Sequence, residues 1–395
     1  MQMLLVICDG LGDRCYPELG GNTPLEFAKT PNLDEFARRA MCGSMYALGP
    51  GIRPSSDVAH MEIFGLDHRR DYTGRGPIEL AGLPVDYSPE DISLRGDFST
   101  FGPSGIILDR RAGRQKPPDK ILNDLKKTVI DDTLFELHLV AGHRFALRIH
   151  GAGLDPDIGD TDPRENNVFP EKCVPLTGST SAAYTAELIN KYSAHVNAYL
   201  RTQGCRANGI LLRSAGKMPH WYDFYQKYHM KAACICNNAV YNGIGRLLGM
   251  DVVHFRHEDN YLDYYRFVEE QMPRIMAAYD FVFLHLQEGD LMGEDGNIEG
   301  KVGAIEDIDR TLAFINRLSP DTVIAVTADH STPCSLREHS GDAVPLAMYG
   351  PGCRADRTTA FGERDCAYGS LGILLGKDIM NLMMNLAGKN PLIGG

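Results

Sequence analysis

An α/β layered fold with a mostly parallel central sheet, interrupted by an inserted α+β module, is what this chain of 395 residues predicts. The expectation rests on short apolar runs of strand length, amphipathic stretches between them, and a middle portion whose pattern changes. Met3 to Cys8 (MLLVIC) is apolar throughout and ends in Asp9-Gly10, the mark of a strand buried on both faces with a functional side chain at its carboxyl end. Similar runs recur at Gly209 to Leu212, Ala232 to Cys236, Phe281 to Leu286, Thr322 to Val326 and Ala343 to Met348. Helical periodicity occupies Pro31 to Arg39, Asn242 to Leu248, Tyr261 to Ala278 and Lys301 to Leu318. Strands alternating with helices imply a mostly parallel sheet, whose ligands sit at the carboxyl ends of its strands.

Between about Ile92 and Gly204 the pattern is different. Alternating β-like pieces (Asp91 to Phe101, Gly105 to Asp109, Thr133 to Val140, Arg144 to His150) precede a loop rich in Asp, Pro and Asn (Asp155 to Pro170) and a helix from about Ser179 to Arg201. Apolar strands resume afterwards, so residues 91–204 read as an insertion into a first domain formed by 1–90 and 205–395.

Composition sets limits on function. With 43 % hydrophobic and 23 % charged residues the chain is neither disordered, coiled coil nor collagen-like. A chain this long buries on the order of 75 % of the surface it would expose unfolded, so a metal site in it is functional rather than structural. Forty basic against 52 acidic residues give a net charge of −12, a poor match for nucleic acid or an anionic membrane. An anionic substrate would therefore need positive charge concentrated locally. Ten scattered cysteines without a C-x-x-C read as reduced thiols. The N-terminus lacks a basic region, and no run of about 18 apolar residues occurs. The expectation is a soluble, cytoplasmic protein.

Three strand ends carry metal-type ligands: Asp9 after LLVIC, Asp290 after FVFLHL, and Asp329-His330 after VIAVTA. One acidic residue at such a place is ordinarily a helix cap or loop acceptor. Three carboxylates converging on one sheet edge repel one another and raise each other's pKa unless cations neutralise them, so a metal cluster is the natural reading. His339, nine residues past His330, offers a further imidazole on the returning loop. Ser56 opens a predicted helix after the Gly/Pro-rich segment GPGIRPS. A serine there is ordinarily an N-cap, yet helix-terminal N–H groups also stabilise phosphate, and a neighbouring metal can deprotonate the hydroxyl into a nucleophile.

Positive charge gathers in the insert, as Arg110, Arg111 and Arg114 in DRRAGR and as His143, Arg144 and Arg148 within Ala141 to His150. Such runs are ordinarily solvated. Here Arg144 and Arg148 alternate with apolar residues and share one strand face, where guanidinium forks can clamp a carboxylate or phosphate.

Ordered motifs run along nearly the whole chain: CDGLGDR at 8–14, TPLEFAKTPNLDEFA at 23–37, SDVAH at 56–60, YTGRGPIE at 72–79, DRRAGR at 109–114, DTDP at 160–163 and DHSTPCSLREHSGDAVP at 329–345. In these the sequence resembles the archaeal-type, cofactor-independent phosphoglycerate mutase family of the alkaline phosphatase superfamily. The resemblance implies an alkaline-phosphatase-like layered domain with an inserted substrate-binding domain. It further implies two divalent ions (manganese, with magnesium or zinc as alternatives), a phosphoserine intermediate, and interconversion of 2- and 3-phosphoglycerate, a small phosphorylated hydroxy acid, without bisphosphoglycerate. Carried over, it makes Ser56 the nucleophile, sets Asp9, Ser56, Asp329 and His330 around one ion, and sets Asp290 and His339 around the other. Arg75, Arg110, Arg111, Arg114 and Arg144 match anion-binding positions, Arg75 and Arg144 acting in catalysis; His143 and Arg148, from the strand pattern, join the substrate-binding set. The family pattern D-x-x-G-H reads DLMGE at 290–294, which makes Glu294 the ligand in place of histidine and adds negative charge beside a phosphate site. Asn242 stands where many relatives are expected to carry a basic residue. These departures leave open a changed substrate such as a phosphonate analogue of phosphoglycerate, a phosphohydrolase outcome, or a non-catalytic binder of phosphorylated metabolites.

Overall fold

Among residues 1–255, 261–390 and 392, which the computed structural model describes, fourteen strands form two sheets. They are β1 (Met3–Cys8), β2 (Met41–Tyr46), β3 (Ile92–Phe101), β4 (Ile107–Asp109), β5 (Lys127–Ile130), β6 (Thr133–Ala141) and β7 (Arg144–Ile149). The series continues with β8 (Gly209–Lys217), β9 (Ala232–Ile235), β10 (Asp251–Val253), β11 (Phe281–Leu286), β12 (Val323–Thr327), β13 (Val344–Tyr349) and β14 (Gly372–Leu375). The chain divides into two units, one of Met1–Asp71, Trp221–Asn237 and Leu248–Gly395, the other of Tyr72–His220 and Asn238–Leu247.

The first unit holds an eight-stranded sheet in the order β10-β9-β11-β1-β12-β13-β2-β14. Pairing is parallel from β10 through β12. Every residue of β1 and β11 is buried, which is why both read as unbroken apolar runs. Because β11, β1 and β12 are parallel neighbours, the residues that follow them emerge at one edge of the sheet: Asp290, Asp9 and Asp329-His330.

The expectation for β13 needs correction. Ala343 to Met348 was expected within the parallel pattern, but β13 runs antiparallel to both β12 and β2. Residues 328–343 return as a loop without the crossover helix that a parallel connection requires.

The second unit holds a six-stranded antiparallel sheet in the order β4-β3-β7-β6-β5, with β8 also paired to β3. The helix Thr180–Thr202 covers its apolar face, with Tyr192 stacked on Phe135 at 4.5 Å. Gly209 to Leu212, expected in the parallel layer, begins β8 of this antiparallel sheet. Four apolar residues in a row signal a buried strand but not the direction of its neighbour. The helix Ala239–Leu247 also belongs to this unit, packed on the helix Arg75–Ala81. Glycine permits that approach, since a Cβ on Gly243 would stand 1.9 Å from the Ile78 carbonyl oxygen. The second unit thus reaches beyond 91–204 on both sides and includes Asn242. No helix of the described residues is long and apolar enough to cross a membrane.

Candidate active site

The first unit brings together most of the ligands expected from its strand ends. Asp9, Asp329 and His330 each place a ligand atom within 4.8 Å of the others, and so do Asp290, His330 and His339. His330 belongs to both groups. Its Nε2 lies 3.1 Å from Asp329 Oδ2, 3.4 Å from Asp9 Oδ1 and 3.1 Å from Ser56 Oγ. The His330 and His339 rings stack with centroids 3.6 Å apart. His339 Nδ1 donates to the Pro54 carbonyl at 3.0 Å, which leaves Nε2, 3.5 Å from Asp290 Oδ1, as its ligand nitrogen. Glu294, one turn beyond Asp290 on the helix Glu288–Asp295, joins neither group among the described residues.

Ser56 is the first residue of the helix Ser56–Ile63, and Ser55 rather than Ser56 occupies the N-cap. The Ser56 hydroxyl is therefore available to face His330 at the helix N-terminus. Gly10 allows the loop after β1 to turn at φ +60°, and its N–H donates to Asp329 Oδ1 at 3.2 Å.

The electrostatics favour a cation. Burial and then the charge of Asp290 push the Asp329 carboxyl up to about 7, against the opposing influence of His339, the Gly10 N–H and Asp9. Burial and then Asp9 push Glu288 up to about 7 as well. Buried carboxylates that resist ionisation beside imidazole nitrogens form a donor set suited to a divalent metal, whose charge reverses that resistance.

Two buried histidines escaped the sequence reading. His60 Nδ1 donates to the Ser56 carbonyl at 2.7 Å and lies 3.6 Å from Asp329 Oδ2. His285 Nε2 lies 3.4 Å from Asp9 Oδ2, and burial holds this imidazole at about 3. The signal was present: a histidine inside the apolar strand FVFLHL is a buried polar group that needs a partner.

In the second unit the arginines divide by role. Arg110 is bidentate on the buried Asp162 (Nε–Oδ1 2.7 Å, Nη2–Oδ2 2.5 Å) and also donates to the Arg164 carbonyl. Arg148 is held by Asp91 at 2.6 Å and by Glu136 at 3.5 Å. Both were expected to bind substrate; in the structure their guanidinium groups are engaged in internal ion pairs. Arg75 pairs with the buried Glu79 at 2.9 Å. Arg95 reaches Glu79 at 3.4 Å and Asp97 at 3.8 Å, and Arg213 joins Asp97 at 2.7 Å and Asp162. Sequence reasoning missed Arg95 and Arg213, which sit singly in strands rather than in a charge run. Burial raises the Asp97 carboxyl, but Arg95, Arg213 and His143 outweigh it and hold the group at about 2. His143 is buried 3.6 Å from Asp97, and burial lowers its imidazole to about 4. Arg144 forms no guanidinium hydrogen bond or ion pair among the described residues, although its charge bears on Glu79 and Asp97. Arg111 and Arg114 line a cleft of about 520 Å³ with Arg110, Arg164 and Asn166.

Residues 1–386 match the family model of the metalloenzyme superfamily. Over their full lengths, this chain and a 2,3-bisphosphoglycerate-independent phosphoglycerate mutase 1 of Methanothermobacter thermautotrophicus are 37 % identical. The chain belongs to the cofactor-independent phosphoglycerate mutase family. A probable mutase of this family from Thermus thermophilus is 38 % identical over 98 % of this chain and 95 % of its own. Solved structures agree. The cofactor-independent phosphoglycerate mutase of Thermoplasma acidophilum matches 98 % of this chain and 100 % of its own with a TM-score of 0.68 and 34 % identity. A Pyrococcus horikoshii protein matches 100 % and 99 % with a TM-score of 0.82 and 31 % identity. The family resemblance read from the ordered motifs is thus borne out, and the donor groups above belong to a mutase-family metalloenzyme.

Proposed function

We propose that this chain interconverts 2- and 3-phosphoglycerate by phosphoryl transfer through Ser56, with two divalent ions, manganese by preference, held by Asp9, Asp290, Asp329, His330 and His339. The observation that carries the reading is the Ser56 hydroxyl, 3.1 Å from His330 Nε2 at a helix N-terminus and next to the Asp9–Asp329–His330 donor group. Bound cations supply Lewis-acid charge that lowers the pKa of the serine hydroxyl and offsets phosphoryl charge.

Ser56 Oγ attacks phosphorus. The Oγ–P bond forms as the bond from phosphorus to the glycerate oxygen breaks, and the serine proton ends on the departing hydroxyl. The other hydroxyl of glycerate then reverses the transfer and regenerates Ser56. Helix-terminal N–H groups favour the phosphoryl oxygens. In the second unit Arg144, with its unengaged guanidinium, and Arg75 recognise the anionic groups of the glycerate. Arg111 and Arg114 add positive charge, while Arg110 and Arg148 support the fold. A cytoplasmic setting belongs to the same reading, supported by ten cysteines that are all free thiols.

Phosphorus NMR of the manganese-loaded protein with 3-phosphoglycerate tests the proposal. Growth of the 2-phosphoglycerate resonance is expected, and its loss in a folded Ser56→Ala variant. Inorganic phosphate as sole product would replace the mutase reading with a phosphohydrolase, and turnover by Ser56→Ala would overturn the phosphoserine route.

A further inference from the structure

Two ligand-bearing loops meet at Thr332, a residue with no part in the scheme above. Thr332 is fully buried. Its hydroxyl donates to Asp290 Oδ1 at 2.6 Å and lies 3.1 Å from His330 Nδ1. Its carbonyl accepts from Lys301 Nζ at 2.9 Å. The same buried ammonium donates to the Gly12 carbonyl at 3.1 Å and to Asp13 Oδ2 at 2.9 Å, so Lys301 ties the loop after β1 to the loop after β12. Space for the arrangement depends on Gly10, where a Cβ would stand 2.6 Å from both Thr332 Oγ1 and Asp290 Cα.

A hydroxyl carries one proton. With that proton directed at Asp290, Thr332 Oγ1 can only accept from His330. Nδ1 therefore bears a proton, and in the neutral imidazole Nε2 presents its lone pair towards Asp9, Asp329 and Ser56. One side chain thus acts on both donor groups. It selects the tautomer of His330, which serves in each, and it orients Asp290, which serves with His339.

We propose that Thr332 is a positioning residue that couples the two metal-ligand groups through its hydroxyl. The inference rests on the reading that these groups hold divalent cations. Partners that orient ligating histidines and carboxylates commonly change metal affinity about 10–100-fold. Thr332→Val keeps the volume and the carbonyl bonded to Lys301 but removes the hydroxyl, whereas Thr332→Ser keeps the hydroxyl.

Calorimetric titration of the metal-free full chain with Mn²⁺ is the test. Thr332→Val is expected to weaken binding about 10–100-fold at both sites, and Thr332→Ser to bind as the wild type does. Unchanged binding in Thr332→Val, or weakening at one site only, would overturn the coupling. Nitrogen-15 NMR of histidine-labelled, metal-free wild type supplies a measurement that needs no variant. A proton on His330 Nδ1 is expected, and a His330 whose Nδ1 carries no proton would overturn the proposal. Wild type that binds no Mn²⁺ would defeat the metal reading itself, and the nitrogen spectrum would still report separately on the hydrogen-bond order.

Discussion

Ser56 illustrates how one position changes a side chain's work. At the N-cap its oxygen would accept from the first turn of its own helix. One residue later, with Ser55 at the cap, the hydroxyl faces His330 instead. Glu294 is the complementary case, a residue expected to ligate by analogy with its family position but absent from both donor groups. It stands four residues after Asp290 on one helix, the spacing at which two side chains share a face. Glu294→His should therefore raise zinc affinity, read by competition with a chelating dye, because imidazole is the better zinc donor. Unchanged zinc affinity would mean that this side of the helix does not reach the ion. Asp9, Asp290, Asp329, His330 and His339 could be read from the sequence because each follows a recognisable strand or lies within a short loop. His60, His285 and Thr332 could not be given roles, because what they do depends on partners from other strands and loops.

Strand β7 shows what an element adds. Arg144 and Arg148 both read as anion-binding on one face, since a strand places alternate residues together. Pairing then separates them. Arg148 stands in register with Ser93 of β3 and Glu136 of β6, where Glu136 and nearby Asp91 engage its guanidinium, while Arg144 stands opposite Asp97. Removing one partner of a buried pair typically costs about 3–5 kcal/mol, since the other charge is left uncompensated. Arg148→Ala should thus lower the denaturation midpoint strongly. Arg144→Ala should leave that midpoint unchanged and raise KM for phosphoglycerate. Urea melts and steady-state kinetics of both variants decide the matter, and the reverse pattern would exchange the two roles. Elements themselves were largely legible: Met3–Cys8, Phe281–Leu286, Pro31–Arg39 and Tyr261–Ala278 occur with the bounds that their apolar patterns predict. Strands β8 and β13 were found, but their directions were not. Direction depends on the connection and the neighbour rather than on the run of residues.

Across the molecule the acidic surplus falls into two electrostatic regimes. In the second unit Asp97 and Glu136 are held at about 2, mainly by arginines around the first and by His150 and Lys127 around the second, against the effect of burial. In the first unit Asp329, Glu288 and Glu363 are raised to about 7. Glu363 is the one of these away from the metal donors; it accepts from Thr23 Oγ1 at 2.7 Å and from the Asp13 N–H at 3.2 Å. Because its carboxyl moves from 4.5 to about 7 on folding, the folded state holds this proton more tightly, and the resulting stability is lost as pH rises through about 7. Glu363→Gln should therefore gain on wild type between pH 5 and pH 8, by roughly 2–4 °C in Tm for each 1 kcal/mol of linkage. A difference in Tm that stays constant with pH in scanning calorimetry would mean that Glu363 does not titrate there. The family, the apolar strands and the five metal-type donors can be read from the chain because each is written in neighbouring positions or ordered motifs. The partner of β8, the engagement of Arg148 and the meeting of Asp290 with Gly10 and Thr332 arise only in the folded chain. Such contacts join residues far apart in sequence, and a local pattern of apolar and polar residues carries no record of where the chain returns to itself.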